Sequence, residues 1–264
     1  MTRRAAPTPE AFDSRMETHG WALFPDVLDR AQVTALCADV DRVYARCRAV
    51  QAANGVADNM EGTAHHLAGY GGALDDFLEG FPLGEWIDRF FAGRWILLNY
   101  GASINPPGSS SYVFRPHRDV RAFTPGYPLS LNMLVLLADF TPETGATLIL
   151  SGSHRTEAMP TEEAFRRGAE PILGRAGDVV LFDSLTVHAA APNLSDACRR
   201  ALTLCLGRPF MKPQMDWPRF LPRAFQARMS DKVRQLMGFN ARVAASLDEY
   251  YQPPERWTFR ADQR

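Results

Sequence analysis

The sequence predicts a mainly β fold, a sandwich or barrel of short strands with helices gathered towards the N-terminus. Three observations carry this. From residue 95 onward, short apolar stretches recur at close spacing with turn-forming Gly, Pro, Asn and Asp between them, the pattern of an antiparallel β architecture. One of these stretches, residues 129–138, is apolar on both faces, as a strand covered on both sides should be. The amphipathic helical signals lie before residue 92. A chain of 264 residues, 46% hydrophobic and 22% charged, can bury a substantial core. We expect one domain: a helical part over about 8–92, a strand core over about 94–209 and an extension over 210–264.

Taken in order, Thr8-Pro9-Glu10 opens a short helix, with Thr as N-cap and Pro in the first turn, and Gly20 ends it. A short strand follows over 21–25. Asp29 caps a long helix whose apolar positions Val33, Leu36, Val40, Val43 and Tyr44 recur every three or four residues, giving one buried face. Residues 54–72 read as a long loop, a candidate lid; its His65 and His66 could touch substrate, but solvent-exposed loop histidines are the expected reading. A helix is predicted over 82–91, a strand over 95–100 and a turn over 105–111. The segment through Tyr112 to Asp119 is expected to be extended, followed by a loop over 120–128. Next come the strand at 129–138, a turn at 141–145, strands over 146–150 and 178–183 and, between those two, a turn and a short helix over 161–168. The last strand spans 199–206. Beyond Pro209, short helices are expected to pack outside the barrel.

Charge and cysteine usage exclude several function classes. The formal net charge of −1 gives no electrostatic case for nucleic acid or an anionic membrane surface as partner. No stretch approaches the ~18 apolar residues of a membrane span, so a cytoplasmic location is expected. Cys37, Cys47, Cys198 and Cys205 show no Cys-x-x-Cys spacing and are expected to be reduced thiols. Only Lys212 and Lys232 are lysines, a bias that points to a GC-rich bacterial genome. Oligomeric state is not legible.

The chemistry-bearing stretch is His117-Arg118-Asp119. In an extended segment His117 and Asp119 share a face, placing an imidazole beside a carboxylate. His188, just past the apolar strand that follows Gly177-Asp178, is the best candidate for a third ligand. Two histidines and one carboxylate on one side of a metal are the ligand set of non-haem Fe(II) oxygenases. On the last strand, Arg199, Ala201, Thr203 and Cys205 share one face, while Arg200, Leu202, Leu204 and Leu206 share the other. The small residues leave room for a ligand. Arg199 at their head reads as a carboxylate anchor, because a guanidinium pairs bidentately with a carboxylate.

The runs His117-Arg118-Asp119, residues 144–154, residues 177–183 and His188 followed by Arg199 resemble the phytanoyl-CoA dioxygenase family of Fe(II)- and 2-oxoglutarate-dependent oxygenases. The likeness covers roughly 113–209. It implies a double-stranded β-helix (a cupin-like jelly roll) with flanking N-terminal helices, and His117, Asp119 and His188 as iron ligands. It also implies that Arg199 holds the far carboxylate of 2-oxoglutarate, and that Thr147 and Asn132 contact this cosubstrate. Fe(II), 2-oxoglutarate and O2 are then the cofactors, and oxidative decarboxylation to succinate and CO2 drives oxidation of a small-molecule substrate. Asp119 argues against halogenation, since related halogenases lack that carboxylate. Ser151 replaces a proline common in the family's turn, Ala190 stands where some members carry a serine, and His154 is expected to be structural. The expected outcome is hydroxylation or oxidative ring closure in bacterial secondary metabolism, with a polar substrate of a kind that can contain saccharide. A coenzyme A thioester is less favoured, because no Lys/Arg-rich phosphate cradle is evident. Two alternatives from other classes are a jelly-roll protein that binds a small carboxylate without turnover and a zinc-dependent enzyme in the same cup. Dependence on O2 and 2-oxoglutarate separates them.

Overall fold

The strand Arg199–Gly207 runs through the middle of the larger of two sheets, and its alternating side chains divide the molecule into an outer apolar layer and an inner cavity. The computed structural model describes residues 4–108 and 112–263. In chain order the elements are α1 (Pro9–Thr18), β1 (Trp21–Phe24), α2 (Arg30–Ala53), β2 (Thr63–His65), α3 (Ala73–Glu79), α4 (Gly84–Phe91) and β3 (Ile96–Asn105). They continue with β4 (Ser130–Leu136), β5 (Leu148–Ile149), α5 (Glu162–Gly168), β6 (Glu170–Pro171), β7 (Val179–Asp183), β8 (His188–Ala189) and β9 (Arg199–Gly207). Short helices α6 (Trp217–Phe220), α7 (Arg223–Arg228), α8 (Asp231–Leu236) and α9 (Leu247–Tyr250) come after β9. The larger sheet has the order β1-β7-β4-β9-β3-β2 and the smaller β6-β5-β8. Their strand pairs are antiparallel. Two antiparallel sheets flanked by helices are the architecture of a double-stranded β-helix.

The period of two explains how the sheet is buried on both sides. Leu131, Met133 and Val135 of β4, with Leu202, Leu204 and Leu206 of β9, face outward into the main apolar cluster, which they share with Phe12, Leu36, Val40 and Trp217 from the helices. Leu134 and Leu136, with Val180, Phe182 and Ala201, face inward and meet Ile149 and Ile172 across the gap between the sheets. All seven residues of β4 are buried, as its uninterrupted apolar run requires. The helices begin where their caps predict. Thr8 accepts from the Ala11 N–H, and Asp29 forms a reciprocal capping box with Gln32, satisfying donors that the first turn leaves unpaired.

Three expectations change. The segment before Asp119 is not a strand: Tyr112–Phe114 is a 3-10 turn, and only His117 pairs, in an isolated bridge to His188. Pro116 has no N–H to give a ladder, which confines pairing to the residue after it. Residues 54–72 are not wholly loop, because Thr63–His65 adds to the edge of the large sheet beside β3. The strand expected over 95–100 runs on to Asn105, with a bulge between Leu97 and Asn99. The last part of the turn expected at 105–111 lies outside the described residues. Gly145, in the turn before β5, has φ 75°, and a Cβ there would stand 2.5 Å from the Ala191 carbonyl oxygen. Only glycine lets this turn approach the segment after β8.

Candidate metal centre

His117, Asp119 and His188 converge at one end of a cavity of about 490 Å³ between the sheets. The mutual bridge His117 N–H to His188 C=O (3.0 Å) and His188 N–H to His117 C=O (3.1 Å) fixes the two backbones side by side, and the rings lie 4.4 Å apart. Asp119 is brought in by its own N–H, which donates to the Ser184 carbonyl at 3.2 Å. One donor atom from each of the three residues lies within 4.8 Å of the other two, so that small side-chain rotations would bring all three onto one ion with bonds of about 2.1 Å.

The protons are arranged for a metal. His117 Nδ1 meets the Arg115 carbonyl at 2.8 Å and His188 Nδ1 meets the Thr186 carbonyl at 3.0 Å. A carbonyl only accepts, so both Nδ1 atoms carry a hydrogen, which leaves Nε2 as the nitrogen of each ring that can serve a metal. Those Nε2 atoms stand 3.6 and 3.8 Å from the two Asp119 oxygens. Burial lowers the His188 pKa and keeps the ring neutral, the form a metal needs. Asn132, 3% exposed on β4, donates its amide to Asp119 Oδ2 at 2.6 Å. Cys205 lies nearby, but burial first and Asp119 second push its thiol up to about 12, so it offers no competing thiolate.

Arg199, Thr147 and Asn132 line the same cavity. Arg199 is 2% exposed, and its guanidinium lies over the Phe140 ring at 4.5 Å. It joins no ion pair among the described residues, and its Nε is buried without a hydrogen-bond partner. Burial lowers its pKa to about 10, which still leaves it charged at neutral pH. Arg200 faces outward and pairs with Asp41 of α2 at 2.8 Å, so the two arginines divide as the alternation of β9 predicts.

The chain matches the phytanoyl-CoA dioxygenase (PhyH) family over residues 16–201. It belongs to that family. It is 34% identical over 250 residues to the uncharacterized protein Rv1501 of Mycobacterium tuberculosis, covering 92% of each chain. It is 25% identical to the iron/alpha-ketoglutarate-dependent dioxygenase penM of Penicillium thymicola, over 86% of this chain and 76% of that one. Among solved structures, the non-haem alpha-ketoglutarate-dependent carbocyclase SnoK from nogalamycin biosynthesis shares its fold. The TM-score is 0.59 at 19% identity, covering 86% of this chain and 95% of SnoK. The enzyme class goes with the family: an oxidoreductase that uses iron and 2-oxoglutarate. The donor set here fits that metal, two imidazoles and a carboxylate being the combination open-sited Fe(II) takes.

Two members of the cavity lining, Asn99 and Gln214, were not singled out in the sequence, and His65, there the less expected candidate for substrate contact, lines it too. The expectation that His65 and His66 are exposed fails. Both are partly buried, burial lowers both pKa values, that of His66 to about 4, and His66 packs edge-on against Trp217 at 5.5 Å. The reason is strand β2, which local Gly and Asn content disguised and which carries His65 against β3. For Asn99 a signal did exist: it interrupts an otherwise apolar run on the face that Gly101 and Ser103 share. His154 Nε2 meets the Glu17 carbonyl at 3.2 Å and is absent from the cavity lining, consistent with a structural place.

Proposed function

We propose that this dioxygenase is a tailoring enzyme that oxidises a C–H bond of a small polar molecule, with hydroxylation or ring closure as outcome. In this reading His117, Asp119 and His188 hold the iron, and Arg199 takes the far carboxylate of 2-oxoglutarate, with Thr147 beside it. The observation that carries the assignment is Arg199. An arginine buried to 2% exposure, without an anionic partner among the described residues, is costly to keep charged. A dicarboxylate entering the cavity supplies the missing charge and takes up the idle Nε. When bound, the iron would activate O2, which is the oxidant, while 2-oxoglutarate would give up two electrons as it is converted to succinate and CO2.

The chain's own residues do the positioning. The Arg115 and Thr186 carbonyls hold both imidazoles in one tautomer, and the Asn132 amide fixes the rotation of Asp119. Phe182 packs edge-on to His188 at 4.9 Å and shields that side of the centre. A role in secondary metabolism is supported by the likeness to SnoK, a carbocyclase of nogalamycin biosynthesis. The test is anaerobic titration of the apo-protein with Fe(II) and 2-oxoglutarate, and then admission of O2. A visible charge-transfer band that fades as succinate forms is expected. Iron-loaded, folded protein giving neither band nor succinate would overturn the reading.

A further inference from the structure

The cavity is far more basic than the chain that forms it. The whole protein balances 29 lysines and arginines against 30 acidic residues, yet the cavity lining holds Arg115, Arg118, Arg121 and Arg199 against one carboxylate, Asp119. With the centre occupied as proposed, on which this inference rests, iron(II) and Arg199 bring three positive charges, and Asp119 and 2-oxoglutarate bring three negative ones. The loaded centre is therefore neutral, and the excess is the other three arginines.

Arg118 is already accounted for. It is buried, its guanidinium donates to the carbonyls of Ser153, Thr156 and Glu157, and the Asp183 carboxyl attracts it. Arg115 and Arg121 differ. Each lies two residues outside the His117–Asp119 pair, each is exposed, and neither joins an ion pair among the described residues. Such charges at the mouth of a low-dielectric cleft concentrate anions there. The rest of the lining adds no negative charge. His65, Asn99 and Gln214 are neutral polar groups, and the His65 ring and the Asn99 amide interact with each other. That wall asks for hydroxyl or amide groups, not for a counter-ion.

We propose that the substrate is an organic acid, a carboxylate or a phosphate monoester, whose anionic group docks on Arg115 and Arg121 while its hydrogen-bonding body lies along His65, Asn99 and Gln214. The guanidinium fork suits either anion, so the test must separate them. Full-length protein loaded with Ni(II) and saturating 2-oxoglutarate is titrated by ligand-observed NMR with matched probes: glucuronate, glucose 6-phosphate and glucose, then 4-hydroxybenzoate and 4-hydroxybenzamide. At least one acid should bind about tenfold more tightly than its neutral mate, and whether carboxylate or phosphate wins names the group. The preference should shrink in the R115Q/R121Q double variant, which keeps the residue 115 carbonyl beside His117, and as NaCl rises from ~0.05 to ~0.5 M. Equal binding within every pair, binding of no acid, or a preference that survives the double variant overturns the proposal. Failure of the Ni(II)-loaded protein to take up 2-oxoglutarate would instead sink the cosubstrate reading, and the acid-over-neutral comparison would still be read on the metal-loaded protein.

Discussion

Asn132 shows how a residue legible in the sequence can carry a duty that the sequence did not display. Its place on β4, sharing a face with Ser130, was readable from the alternation, and the family resemblance suggested contact with the cosubstrate. In the structure its amide reaches Asp119 first, at 2.6 Å, leaving its own Oδ1 buried and unpartnered. Outer partners of this kind commonly account for about 10–100-fold in metal affinity. Asn132→Leu should therefore weaken Ni(II) or Fe(II) binding by that order while the fold melts near its normal temperature; calorimetric metal titration beside a thermal melt checks both. The adjacent arginines offer a sharper contrast. Arg199→Ala should raise the KM for 2-oxoglutarate by at least about tenfold. Arg200→Ala removes a half-exposed ion pair to Asp41 and should cost no more than about 1 kcal/mol of stability, with KM unaltered. Steady-state kinetics with varied 2-oxoglutarate decides it, and the reverse pattern would mean that β9 presents its other face to the cavity. The two faces of β9 were legible because strict alternation survives without context. His65 was not, because its three-residue strand exists only by pairing with β3.

At the scale of elements, strand β7 and the turn after it deliver His188. Asp183 closes the strand and accepts the Leu185 N–H at 2.8 Å, holding the turn that leads to the ligand. Burial raises its pKa from 3.8 to about 6. Below about pH 3 the carboxyl is protonated in both folded and unfolded chains and costs nothing. As pH rises towards 6 the unfolded chain ionises while the folded one resists, so stability is lost through that window and the deficit is constant above it. The deficit is at most about 3 kcal/mol, and the attraction between Asp183 and Arg118 offsets part of it. Asp183→Asn keeps an oxygen for the Leu185 N–H and should raise Tm by a few degrees at pH 7.5, the gain shrinking to a small fraction near pH 4. Melts at the two pH values test this; an equal effect at both would show that ionisation of Asp183 is not the cause. The sequence displayed this strand clearly, as an apolar run after Gly177-Asp178. It could not display the burial of Asp183, which depends on what covers the turn. Nor could it show that the approach to Asp119 breaks into a 3-10 turn and a single bridge.

For the whole molecule, the layer that buries the outer face of the large sheet is completed by the chain beyond β9. Trp217 is fully buried and donates its indole N–H to the Leu97 carbonyl at 2.9 Å. Leu221, Phe225, Met229, Val233, Leu236 and Met237 join the same apolar cluster as Phe12 and Leu36 from the N-terminal helices. The sequence foretold short helices packed outside the barrel, but their weight in the core was hidden, since Pro- and Arg-rich stretches lack a sustained helical period. Burying an apolar side chain of this size is worth roughly 1.5–3 kcal/mol, so seven of them approach or exceed the ~5–15 kcal/mol that separates a folded domain from its unfolded chain. The remainder of the segment is different in kind: Val243, Leu247, Tyr250 and Tyr251 are exposed by 65% or more. A chain ending at residue 209 should therefore fail to give dispersed NMR signals or a cooperative melt, although every residue proposed to hold iron and 2-oxoglutarate is still present. A chain ending at residue 241 should keep a cooperative melt and its metal binding, because what it loses is mostly surface. If the shorter chain folds and binds metal, the outer layer is dispensable and the two sheets alone carry the stability; the buried environment of Trp217 argues that they do not.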